Sequence, residues 1–192
     1  MKKLFDITAS FFGILILSPL FIFISLWVGL SSKGGVFYKQ IRVGKNNKDF
    51  KLYKFRSMRV NSDKQGLLTV GSKDSRITKA GYFIRKYKID ELPQLFNVLK
   101  GDMSFVGPRP EVRRYVDLYS EEQMKVLSVR PGITDTASIK YRNENDILSS
   151  ASNPEEYYIQ HIMPDKLKIN IDYINKRTFV KDIKIIFQTI FG

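Results

Sequence analysis

Apolar residues run from Leu4 to Leu30, interrupted by Asp6, Thr8, Ser10, Ser18 and Ser25. A straight helix over that stretch spans about 40 Å at about 1.5 Å per residue, enough to cross a bilayer. Ser18-Pro19 lies at its middle, where proline removes an intrahelical hydrogen bond and kinks the helix, and a serine hydroxyl can pair with the freed carbonyl. Both flanks are basic, with Lys2 and Lys3 before and Lys33, Lys39, Arg42 and Lys45 after, which favours keeping both ends on the cytoplasmic side. The pattern predicts a re-entrant membrane helix that bends at Ser18-Pro19 and leaves by the face it entered, with a simple span as the alternative. A cleaved signal peptide fits poorly, because no small-x-small site precedes Ser31.

Past residue 32 the period changes. Val36 to Val43 and Phe50 to Arg59 alternate as strands around a Gly44-Lys45-Asn46-Asn47 turn, which predicts a β-hairpin. A period of two puts Leu52, Lys54, Arg56 and Met58 on one strand face. Residues 61–75 read as a mobile polar loop. Thr78 caps a short helix through Arg85 and Lys86, and Pro93 fits the first turn of a helix from Glu91 to Leu99 that Gly101 ends. Val112, Tyr115, Val116 and Tyr119 have helical spacing, and Ser120-Glu121-Glu122-Gln123 is a capping-box start. Val180, Ile183, Ile186, Phe187 and Ile190 form a stripe opposite Lys181, Lys184 and Gln188 that suits either a core or an interfacial C-terminal helix. The expected fold is α/β, mostly helical with a small β-hairpin. Residues 1–32 are expected to form the membrane helix and 33–192 a cytoplasmic domain.

At 192 residues the chain suits one such domain. Apolar residues at 43% and charged ones at 27% exclude a disordered chain, collagen or a polytopic membrane protein. Lys and Arg number 32 against 19 Asp and Glu, a net charge of +13 that calls for an anionic partner: nucleic acid, a phosphorylated small molecule or an acidic membrane. No cysteine is present, which excludes disulfides and thiolate chemistry, and the lone His161 offers no histidine cluster for zinc.

Candidate chemistry concentrates between Arg85 and Pro110. Asp90 and Glu91 are adjacent carboxylates before a helix, and Asp90 as a mere N-cap is the structural alternative. They stand among Arg76, Arg85, Lys86, Lys88, Lys100 and Arg109, an alternation of sign that suits a phosphate-bearing substrate with a divalent cation. Oxygen ligands favour Mg²⁺. In Gly107-Pro108-Arg109-Pro110 the prolines stiffen the backbone, which makes Arg109 a preordered phosphate clamp or, alternatively, a salt-bridging loop residue. Lys54 and Arg56 could add phosphate contacts or form a solvated strand face. No G-x-G-x-x-G, Walker loop or G-x-S-x-G elbow occurs.

The segments KLYKFRSM (51–58), RITKAGYFIRK (76–86), IDELPQLFNVLKGDMSFVGPRP (89–110), RPGIT (130–134) and IDYINKRTFVKDIKIIFQT (171–189) closely resemble the bacterial sugar transferase family. These are monotopic phosphoglycosyl transferases of the bacterial cytoplasmic membrane. The resemblance implies transfer of a sugar-1-phosphate from a UDP-sugar to undecaprenyl phosphate, releasing UMP and starting O-antigen, capsule, exopolysaccharide or glycoprotein assembly. It also implies the minimal, single-domain form. By the same resemblance Asp90 is the nucleophile that forms a covalent phosphosugar, Glu91 joins it in binding Mg²⁺, and Arg109 holds a phosphate with Arg85, Lys54 and Arg56 as lesser candidates. After RPGIT many members read Gly-Trp-Ala-Gln-Val and a Gly-Arg pair; here Asp135 to Glu144 reads DTASIKYRNE, with Arg142 retaining the arginine role. Nucleic acid is not an expected partner. The rival readings are a non-catalytic basic tether for acidic lipids, a nucleic-acid-binding protein, and direct transfer without an intermediate.

Overall fold

In the computed structural model, which describes residues 1–62, 66, 68 and 74–192, the apolar N-terminal segment is one helix, α1 (Lys2–Ser31). By length and composition it could cross a membrane. The break expected at Ser18-Pro19 does not separate two helices, because helical geometry continues on both sides. Ser18 Oγ donates at 2.8 Å to Leu15 O, the carbonyl four residues back that Pro19 has no N–H to reach. Only Asp6, Ser10, Phe21, Ile24 and Val28 of this helix are buried. Asp6 accepts from Phe105 N at 3.3 Å, and Lys2 donates to Val106 O at 3.1 Å. Phe21, Ile24 and Val28 share a core with Phe55 and Ile84. Leu15, Ile16, Ile22 and Leu26 remain exposed.

The hairpin forms as β1 (Phe37–Val43) and β2 (Asp49–Phe55), antiparallel, with Phe37 opposite Phe55 and Val43 opposite Asp49. The turn between them is a 3₁₀ turn in which Asn46 and Asn47 take positive φ, a region asparagine tolerates. β2 ends at Phe55 rather than continuing to Arg59, because the backbone beyond it is used elsewhere. Thr78 N donates to Ser57 O at 3.0 Å, and Met58 makes a single bridge with Ile77. Helix α2 (Lys79–Lys86) is seated on that segment so closely that a Cβ on Gly81 would lie 1.9 Å from Ser57 O. Thr78 caps α2 as expected, its hydroxyl accepting from Gly81 N at 2.9 Å.

Lys88 at φ 56° then turns the chain into a separate 3₁₀ turn, Ile89–Glu91. The next helix, α3 (Gln94–Lys100), begins after Pro93 instead of at Glu91 and ends at Gly101 with φ 87°. No side chain caps its start, so Asp90 is not its N-cap. A second small sheet was not anticipated: β3 (Ser104–Val106) runs parallel to β4 (Gly132–Thr134). The close approach needs glycine, since a Cβ on Gly132 would sit 2.2 Å from Gly107 N. Between these strands lie α4 (Arg113–Val116) and a 3₁₀ stretch, Gln123–Ser128. The Ser120–Gln123 capping box closes reciprocally at 2.9 and 3.3 Å, although the helix it opens is 3₁₀. Then follow α5 (Thr136–Lys140), α6 (Glu144–Ser149), α7 (Pro154–Tyr157), a π-helical turn Tyr158–Ile162, α8 (Met163–Asn175) and α9 (Phe179–Phe191). Among the described residues the protein is mostly helical with two two-stranded sheets. In α9, Asp182 and Ile185 face inward, while Val180, Phe187 and Ile190 are 77%, 59% and 65% exposed. Most of the loop expected over residues 61–75 lies outside the described residues.

Candidate active site

The 3₁₀ turn between α2 and α3 presents its two carboxylates differently. Asp90 is 4% exposed, and burial pushes its carboxyl above the usual range, helped by the neighbouring Glu91 charge and opposed by Lys54, Arg85 and Lys88. Glu91 is also penalised by burial. The cations outweigh that penalty, since Arg109 grips both its oxygens and Lys54 Nζ donates to Oε1 at 2.8 Å. Glu91 is therefore held well below the ordinary carboxylate range. Two adjacent carboxyls are thus driven apart, one kept ionised and the other made more basic.

Arg109 is fixed from its backbone as well as its side chain. Asp135, fully buried, accepts from Arg109 N at 2.8 Å and caps α5 through Ser138 N at 2.5 Å. One residue on, Arg42 Nη1 donates to Pro110 O at 2.9 Å and pairs with Glu111 at 3.4 Å. The stiffness expected from Pro108 and Pro110 is thus reinforced by two part-buried tethers. Lys54 is placed by β2, which α3 holds through Asn97: its Nδ2 donates to Lys51 O at 2.7 Å and its Oδ1 accepts from Tyr53 N at 3.0 Å.

Lys54, Arg56, Arg85, Asp90, Glu91, Arg109 and Arg142 all line one cavity of about 950 Å³. That volume is at the upper end for small-molecule sites. Arg56 is engaged at its rim, donating to Gly35 O at 2.9 Å and Phe37 O at 3.2 Å. Arg142, just past α5, donates to the Gln188 and Gly192 carbonyls at the end of α9.

A family model described as bacterial sugar transferase matches residues 1–192. The chain belongs to the bacterial sugar transferase family. Among bacterial sugar transferases it is 40% identical, over 99% of its length, to the UDP-N-acetylgalactosamine-undecaprenyl-phosphate N-acetylgalactosaminephosphotransferase of Aeromonas hydrophila. It is 37% identical over its whole length to the UDP-glucose:undecaprenyl-phosphate glucose-1-phosphate transferase of Escherichia coli K12. The chain spans 43% and 39% of those two relatives. The sugar transferase EpsL of Bacillus subtilis, an uncharacterized protein, matches at 40% identity over 99% of the chain and 85% of its own length.

Two contributors escaped the reading of the sequence. Arg42 looked like part of a basic membrane flank, yet it sits in the cavity wall and holds the segment that carries Arg109. Asp135 stood out only as a departure from the family pattern; its position two residues before Ala137-Ser138 in a strand-to-helix turn is an N-cap signal that could have marked it. Among the described residues no three His, Asp or Glu side chains come together as a metal cage.

Proposed function

We propose that this bacterial sugar transferase moves a sugar-1-phosphate from a UDP-sugar to undecaprenyl phosphate, with Asp90 as nucleophile. The observation that carries this reading is the opposed pair at the foot of the large cavity: a buried, more basic Asp90 next to a Glu91 already committed to Arg109 and Lys54. Asp90 attacks the sugar-linked phosphorus, a phosphorus–oxygen bond forms, and the bond to UMP breaks with its electron pair leaving on UMP. A phosphate oxygen of the acceptor then attacks the same phosphorus and returns the Asp90 carboxylate. Arg109 and Lys54 exchange part of their hold on Glu91 for diphosphate oxygens, for which a preordered guanidinium is suited. Asp90 and Glu91, with diphosphate oxygens, offer the all-oxygen donor set that Mg²⁺ takes, and such a cation would neutralise charge on the leaving UMP. The relatives named for a particular sugar differ in which sugar they carry, so the donor is proposed as a class.

The proposed place is the cytoplasmic face of the bacterial cytoplasmic membrane, entered by α1 from one side. Both ends of α1 rest on the same body, Lys2 and Asp6 against β3 and Phe21 to Val28 against β2 and α2. A helix crossing the bilayer would carry one end away from that body. Its outward face, together with Val180, Phe187 and Ile190 of α9, supplies apolar contact, and the net charge of +13 favours anionic lipid. The test is a screen of UDP-sugars, with intact-mass measurement of the protein before acceptor is added. UMP release with a phosphosugar adduct on Asp90, both lost in Asp90→Asn, is expected. Turnover by Asp90→Asn at the wild-type rate would reject the nucleophile, and UMP release only when acceptor is present would favour direct transfer.

A further inference from the structure

The cavity at Asp90 is charged in one part and apolar in another. Along α1 its wall is made by Ala9, Gly13 and Leu17, which follow at four-residue intervals on one face of the helix; Leu95 of α3 and Ile186 and Ile190 of α9 add apolar lining, with Thr189 and Arg142 beside the α9 residues. Gly13 is the informative position. A Cβ there would meet Leu95 Cδ1 at 3.6 Å, an ordinary contact, so packing within the protein does not call for glycine. In a helix interior glycine costs about 1 kcal/mol relative to alanine, and here the protein receives no closer packing in exchange. What glycine and Ala9 leave is a trough running about 12 Å along α1, by the rise of about 1.5 Å per residue.

We propose that this apolar arm holds the first isoprene units of the polyprenyl phosphate, with the phosphate head beside Asp90 among Arg109, Lys54 and Arg85. The inference rests on the reading of the site as a polyprenyl-phosphate transferase and adds where the acceptor lies. One continuous cavity with a cationic part and a hydrocarbon-lined part matches one molecule with an anionic head and an apolar tail. Ile190, 65% exposed, puts the arm's rim at the outside of the protein, and α1 carries exposed apolar side chains on its outer face, so a lipid-borne tail has a lateral way in. Moving isoprenoid carbon from bilayer to an apolar trough exchanges one hydrocarbon environment for another, so little affinity comes from it. Its effect is to hold the acceptor oxygen in line with the phosphorus.

The test uses the full chain in nanodiscs of phosphatidylethanolamine and phosphatidylglycerol and a polyprenyl phosphate carrying a diazirine on the isoprene unit next to the phosphate. Photolabel is expected on peptides containing residues 9–17 and 186–190, displaced by undecaprenyl phosphate and not by added phosphatidylglycerol. Label elsewhere, for example on the peptides of Trp27 or Phe83, or equal displacement by phosphatidylglycerol, would overturn the assignment. Gly13→Leu, which fills the trough, and Ile190→Trp at the exposed rim should each lower kcat/KM for the acceptor about fivefold or more while kcat/KM for the donor holds, a change of the kind that lost positioning produces. Melting curves check the fold, and Ile190→Trp, at a surface position, keeps the test open if Gly13→Leu misfolds. Unchanged kcat/KM for the acceptor in the folded variants overturns the proposal. Label on the named peptides with no transfer from any UDP-sugar supports the arm and faults the donor reading; normal transfer with label elsewhere faults the arm alone.

Discussion

Asp90 and Glu91 are neighbours in sequence with opposite proton affinities, and each direction has a measurable consequence. Ionising Asp90 in the folded state costs stability wherever the pH lies above its raised pKa. Asp90→Asn should therefore raise the melting temperature at pH 7, with the gain shrinking as the pH falls and vanishing once wild-type Asp90 is protonated both folded and unfolded, below about 3.9. With Asp90 in the proposed role of nucleophile, which it can fill only when ionised, the acid limb of kcat/KM should lie above the pKa of an ordinary aspartate; a pH–rate profile reads it. Glu91 behaves inversely. Its lowered pKa stabilises the fold above about 4.3 and loses that contribution as the pH drops through the folded-state value. Glu91→Gln leaves Arg109 and Lys54 facing a neutral amide in a largely buried site and should cost about 1–3 kcal/mol in urea unfolding. Asp90 and Glu91 were legible as chemistry because acids among so many bases stand out in a string of letters. Their division of labour was not, because it depends on which cation reaches which oxygen, and Lys54 and Arg109 lie 37 and 18 residues away.

Elements whose signals are local were readable: the Thr78 cap, the Gly101 stop, the reciprocal Ser120–Gln123 box and the hairpin turn each depend on atoms within a few residues. Elements set by distant partners were not. β2 stops at Phe55 because α2, more than twenty residues on, claims the backbone at Ser57, and β3 finds β4 only after an intervening stretch of turns. Three-residue strands also carry too little alternation to register as a period of two. The seat of α2 is the most exacting of these contacts. Gly81→Ala forces a methyl into Ser57 O and should cost about 1–3 kcal/mol of stability, the usual range for overpacking. Because α2 also carries Arg85 into the cavity, the same variant should raise the donor KM, a split that equilibrium unfolding and steady-state kinetics separate.

At the scale of the whole molecule, α1 is built into the domain instead of being tethered to it, contributing Phe21, Ile24 and Val28 to a core. Hydropathy registered its length and greasiness but not this, because a helix apolar all round carries no stripe to say which face is covered. The absence of native cysteine makes its topology easy to probe. Single cysteines at Lys3 and Lys33 should be labelled by a membrane-impermeant maleimide from the same side of inverted vesicles; labelling from opposite sides would mean a span. One last contact ties the sequence into a ring. Lys2 pairs with Asp182, which also accepts from the hydroxyl of Tyr173. A ribosome reaches residue 182 well after Phe55 and Ile84, so the Phe21–Val28 end of this oily helix can be covered while the Lys2 end still waits, sheltered by lipid or by a chaperone, for α9 to be made. The helix is therefore fastened in two stages, and the end synthesised earlier is the one secured later.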